Sequence, residues 1–143
     1  MSKVEEDIFS TFASLASYLG YSDLHGRIIG ALVVEDKEVS LQDLSKKVGY
    51  SPAAVSLSID MLELVGIVKK IKKTGDRKLY IRLDGDMLEA LRSAILLKIR
   101  KVLADTYEKF DRYRNNKAAK KLEKELKRLE KYIDRLADVE IPK

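Results

Sequence analysis

Apolar residues recur at helical spacing along most of this chain, and strand-like alternation is confined to one stretch near its middle. Val4, Ile8, Phe12, Leu15 and Leu19 predict an amphipathic first helix over residues 3–20. Gly20-Tyr21 breaks it, and Ser22 is placed to cap a second helix reaching about Glu35, with an apolar face of Leu24, Ile28, Ile29, Leu32 and Val33. Ser40, with Asp43 three residues on, opens a short third helix whose Leu41, Leu44 and Val48 face inward. Glu38-Val39 just before it suits a short strand. After the turn Gly49-Tyr50, Ser51 caps a fourth helix with Pro52 at its first position, where no backbone N–H is needed. Its buried stripe is Val55, Ile59, Leu62 and Val65, and Gly66 ends it.

Ile67 to Lys73 and Lys78 to Leu83 then read as two strands across the turn Thr74-Gly75-Asp76-Arg77. Leu79, Ile81 and Leu83 point to the core, leaving Lys78, Tyr80 and Arg82 on the opposite face. Beyond Asp84-Gly85 come two long helices. Leu88, Leu91, Ile95, Ile99, Val102, Phe110 and Tyr113 line one side of residues 86–114. After Arg114-Asn115-Asn116, Ala119, Leu122, Leu126, Leu129, Ile133 and Leu136 form a heptad seam with Lys and Glu between them. Such stripes do not stay solvated; they pair as an intrachain hairpin or with a second chain.

The expected fold is therefore mainly α with a small β-hairpin wing, a winged helix-turn-helix flanked by long dimerisation helices. Three segments follow: residues 1–21, a helix joining the dimer interface; 22–85, the winged helix-turn-helix; and 86–143, the C-terminal dimerisation region. A homodimer would present two wings to a pseudo-palindromic site, with Leu122, Leu126, Leu129, Ile133 and Leu136 as the dimerisation residues.

Charge points to the partner. The net charge is +5, but it is unevenly spread. Residues 1–65 carry 5 basic and 10 acidic side chains, residues 66–83 carry 7 and 1, and residues 84–143 carry 16 and 12. Positive charge is thus densest in the hairpin, where Lys69, Lys70, Lys72, Lys73, Arg77 and Lys78 surround the turn. Directly after a helix-turn-helix, such a hairpin is suited to phosphates. Lys72 and Lys73 fit the backbone, and Arg77 at the tip fits a narrow minor groove. On the fourth helix, Ser51 and Ser56 can hydrogen-bond phosphate or base edges, while Ala53, Ala54 and Leu57 can touch thymine methyl groups. No Arg or Lys stands between Pro52 and Val68, so an arginine fork on guanine is unavailable here.

GYSPAAVSLSIDMLELVGIVKKI (Gly49–Ile71), followed by TGDRKLYIRLDGD, resembles the GbsR-like branch of the MarR superfamily of transcriptional regulators. Upstream, GRIIGALVVEDKEVSLQDLSKKVG is similar to that branch's second and third helices, so the resemblance spans residues 22–86. It implies a dimeric winged-helix repressor with its serine-bearing helix in the major groove and its wing alongside. Carried onto this chain, it points to Ser51, Ala53, Ala54, Ser56 and Leu57, and to Lys72, Lys73, Arg77 and Lys78. The helix departs from the pattern in having no basic residue. Some relatives respond to choline or other small ligands.

Other features exclude more than they suggest. No cysteine is present, ruling out disulfides and thiolate metal sites, and a cytoplasmic home is the simplest expectation. No apolar run approaches the length that spans a bilayer, and MSKVEEDIF lacks the pattern of a secretory signal. No nucleophile elbow, phosphate-cradling glycine loop or metal motif occurs, so neither enzymatic activity nor a cofactor is expected. His25, the single histidine, suits helix packing or the surface. Tyr18, Tyr21, Tyr107, Phe110 and Tyr113 suit the core or an interface, with an effector pocket as the alternative. Two functional readings stay open: a regulator of double-stranded DNA with a small-molecule effector of unknown identity, or a winged helix that docks a protein through Leu57, Met61 and Leu64. A non-specific architectural DNA binder is a variant of the first.

Overall fold

A computed structural model of the chain describes residues 2–143. Six α-helices and three short strands follow one another as α1 (Lys3–Tyr18), α2 (Asp23–Glu35), β1 (Val39–Ser40), α3 (Leu41–Val48), α4 (Pro52–Leu64), β2 (Val68–Lys72), β3 (Leu79–Leu83), α5 (Met87–Phe110) and α6 (Lys117–Ala137). A single 3-10 turn, Asp111–Tyr113, follows α5. The chain forms two compact units that meet in sequence at Leu91 and Arg92.

In the first unit, hydroxyls start α1 to α4. The side chains of Ser2, Ser22, Ser40 and Ser51 accept hydrogen bonds from the backbone N–H groups of Glu5, His25, Asp43 and Ala54, satisfying one orphan donor each. Gly49 ends α3 and Gly66 follows α4, both with positive φ that side-chain-bearing residues rarely adopt. Ile28, Leu32, Leu44, Val55, Ile59, Leu62, Ile67 and Ile81 are buried and make the core of this unit. The strands form one antiparallel sheet in the order β1-β3-β2, with Val39 opposite Ile81 and Lys70 opposite Ile81 on the other side.

The buried face of α1 differs from the expected one. Phe9, Phe12, Ala13 and Ala16 are buried, whereas Val4 and Leu15 are exposed. The cause is α2, whose glycines admit the α1 backbone. A Cβ placed on Gly26 would lie 2.3 Å from the Phe12 carbonyl oxygen and 2.7 Å from Ala13 Cα. Contact that close needs small residues, so the alanine side of α1 turns inward and part of the bulkier stripe turns out. In α4, Ser58 is buried beside the expected stripe, and Val65 is only half-buried.

In the second unit, Leu96 and Leu103 of α5 and Ile133 of α6 form the buried centre, with Ile99, Tyr107, Leu126, Leu136 and Ala137 packed around it. Arg100 pairs with Asp134 at 2.9 Å, and the Tyr107 hydroxyl donates to Glu130 at 3.1 Å, so polar contacts flank the hairpin. The expected α5 stripe is therefore turned. Val102 is 63% exposed, and Leu88 and Ile95 are exposed with it at seven-residue intervals. Because α5 carries apolar residues on more than one side, periodicity alone does not single out the side that packs. The α6 seam offered to a partner chain is taken largely by its own chain: Ile133 is buried, Leu122, Leu126 and Leu136 are half-buried, and Leu129 is exposed.

Candidate nucleic-acid interface

The first turn of α4 is built by Ser51 and Pro52. Ser51 Oγ accepts the Ala54 N–H at 3.2 Å, so this side chain acts as the helix cap. Ala53 is exposed, Ala54 and Ser56 are half-buried, and Leu57 stands 72% exposed. Farther along, Leu64 is 86% exposed. Met61 is half-buried, because its sulfur meets the His25 ring, whose other nitrogen meets Ser22 Oγ. His25 thus ties the start of α2 to the inner side of α4, a packing role.

The wing is joined to this helix by one lysine. Lys70 Nζ pairs with Asp60 of α4 and lies 3.5 Å from Glu63. The hydrogen bond to Asp60 raises the Lys70 pKa above its ordinary value, so the ammonium stays charged. Lys70 thus faces both carboxylates of α4 and offsets one of their two negative charges. A second lysine is also occupied: Lys73 Nζ lies 3.0 Å from Glu38 and 4.0 Å from the centre of the Tyr80 ring. Each partner shifts the other, with Glu38 held below the usual carboxylate range and Lys73 raised. Lys73, expected on phosphate, braces the wing against the segment before β1.

Asp76 organises the tip. Its carboxylate accepts the Lys78 N–H at 2.9 Å and the Tyr80 hydroxyl at 2.8 Å, and its own N–H donates to the Lys73 carbonyl at 3.1 Å. The Lys78 N–H and the Tyr80 hydroxyl lower the Asp76 pKa, and Asp76 raises that of Tyr80. Tyr80 is consequently half-buried rather than standing on an open face. Gly75, with φ +77°, makes the left-handed step of the turn. The strands stop one residue short of their expected inner ends, leaving Lys73–Lys78 as the connecting loop.

Lys69, Lys72, Arg77 and Lys78 are exposed, and none forms an ion pair among the described residues. Of Lys72, Lys73, Arg77 and Lys78, the wing side chains expected at DNA, Lys72, Arg77 and Lys78 are exposed without an ion pair and Lys73 is engaged by Glu38. Sequence reasoning missed Asp76 as their scaffold, although an aspartate two residues before the N–H it accepts is a recognisable turn signal.

A cavity of about 330 Å³ in the second unit is lined by Tyr107, Phe110, Tyr113, Leu122 and Leu126, with Arg114 held by Asp111 at its edge. Tyr18 and Tyr21 are not among its lining residues. Among the described residues no group of three or more His, Asp or Glu is placed to hold a metal, and no helix is long and apolar enough to cross a membrane.

No family model and no curated protein matches the chain. Solved structures do. The crystal structure of a transcriptional regulator is 17% identical to it, over 93% of this chain and 95% of that one, with a TM-score of 0.69. The chain is a winged helix. More distant likenesses include NadR in complex with 4-hydroxyphenylacetate, at 20% identity, 96% and 89% coverage and a TM-score of 0.48. A Staphylococcus aureus MepR mutant bound to an oligodeoxyribonucleotide is 17% identical, with 88% and 92% coverage and a TM-score of 0.49. At these identities the likeness concerns the fold.

Proposed function

We propose that this winged helix is a DNA-binding transcriptional regulator, a repressor acting as a homodimer in the cytoplasm, as its resemblance to the GbsR-like branch of the MarR superfamily implies. One observation carries the reading. Lys72, Arg77 and Lys78 stand exposed and unpaired on a hairpin that Lys70 fastens to the outer side of α4. Cations gathered on one hairpin suit a phosphate backbone, which presents many anions at regular spacing. In this arrangement Ser51, Ala53, Ala54, Ser56 and Leu57 enter the major groove while the wing follows the neighbouring backbone. Dimerisation is supported by the exposed row Leu88, Ile95 and Val102 on α5 and by exposed Val4, Leu15 and Tyr18 on α1, apolar side chains without a partner in one chain. A small-molecule effector belongs to the same reading, and the cavity beside Tyr107 and Phe110 offers it space.

A protein-docking role has its own observation, the exposed Leu57 and Leu64 on an α4 without cations. Titration of a labelled duplex at about 50 and 200 mM salt separates the two. DNA binding predicts micromolar or tighter affinity at the lower concentration. With one phosphate for each of the three wing cations, it also predicts a loss of about 40-fold per wing at the higher one. Absent or salt-independent binding would favour protein docking.

A further inference from the structure

The outward side of α4 is chemically narrow. Ala53, Leu57, Asp60 and Leu64 follow one another along it at helical spacing. Asp60 is neutralised by Lys70, and Ser51 Oγ already accepts the Ala54 N–H. Ser56 is half-buried and Ser58 is buried. The part that enters a groove therefore offers an alanine methyl and a leucine side chain 72% exposed, with no side-chain donor fork. Base edges in the major groove are hydrogen-bonding groups, with one apolar exception, the 5-methyl group of thymine. Placing leucine against guanine or cytosine would desolvate polar edges without replacing their bonds. Placing it against thymine removes two apolar surfaces from water.

We propose that Ala53 and Leu57 select DNA by thymine 5-methyl groups, so that sequence preference comes from apolar contact rather than from hydrogen-bonded forks. The wing, held beside α4 by the Lys70 bridge, supplies charge without sequence information. This selection rests on the reading that α4 occupies the major groove.

Replacing thymine by deoxyuridine deletes only the methyl group and leaves phosphates and Watson–Crick edges unchanged. The full chain is titrated with a 30-base-pair alternating A·T duplex and with its A·U counterpart at one salt concentration. Each lost methyl contact is expected to weaken binding about fourfold, the worth of one buried carbon, with the salt slope unchanged. Leu57→Ser, at an exposed position where folding is undisturbed, is expected to bring the two affinities closer together. Equal affinity of the unaltered protein for both duplexes, or an undiminished preference in Leu57→Ser, overturns methyl selection while leaving DNA binding in place. Failure to bind either duplex defeats the DNA reading itself, and methyl selection with it.

Discussion

Gly26→Ala is expected to destabilise the protein by about 3 kcal/mol, a large share of what holds a small domain together. Helix propensity argues the other way, since alanine is favoured over glycine inside a helix by about 1 kcal/mol. Sterics decide the sign. The new Cβ would sit 2.3 Å from the Phe12 carbonyl oxygen and 2.7 Å from Ala13 Cα, both backbone atoms that cannot swing aside. Either α1 is displaced from α2, uncovering Phe9 and Phe12, or α2 bends. Gly30 is the internal comparison. There a Cβ meets Phe12 side-chain atoms at 3.3 Å and Phe9 Cα at 3.4 Å. Small adjustments suffice, and Gly30→Ala is expected within about 1 kcal/mol of the parent protein because the propensity gain offsets the squeeze. Urea unfolding of the three proteins measures both values. Equal stability of Gly26→Ala and the parent would mean that α1 does not pack where the structure places it.

The second large effect concerns binding. Changing Lys72, Arg77 and Lys78 together to alanine is expected to reduce affinity for duplex DNA by roughly two to three orders of magnitude at 0.1 M salt. The slope of log K against log salt should shrink by about 2.7 per wing. Folding should be undisturbed, because these side chains are exposed and make no ion pairs among the described residues. Lys70→Ala and Lys73→Ala provide the contrast. Their ammonium groups are already engaged by Asp60 and Glu63 and by Glu38, so a phosphate would have to compete with a carboxylate for either of them. The triple variant should change the slope much more than either of them does. Mobility-shift titrations over a salt series read both quantities, and an unchanged slope in the triple variant would remove the wing from the interface.

Much of the architecture is written locally. Ser22, Ser40 and Ser51 cap helices because a hydroxyl next to free N–H groups has an immediate use for them, whatever the rest of the chain does. Gly49 and Gly66 mark helix ends for an equally local reason. The second strand of the wing shows its alternation clearly, and Ile81 is fully buried as that pattern requires. What escaped sequence reading depends on distant partners. The buried side of α1 is chosen by glycines on α2, and the packed side of α5 by Ile133 some thirty residues farther on. Likewise, nothing beside Lys70 or Lys73 in sequence reveals that their acids stand on α4 and before β1. A count of lysines therefore overstates the free charge of the wing.

A second basic surface exists in this molecule. α6 starts with Lys117 and carries Lys120, Lys121 and Lys124, all exposed. Backbone amide chemical shifts recorded while duplex DNA is added to isotope-labelled protein distinguish the two surfaces most directly. Occupation of the winged helix moves the amides of Ser51–Leu57 and Lys72–Lys78, with the changes fading as salt is raised. Shifts confined to Lys117–Lys124, with α4 and the hairpin unmoved, would contradict it.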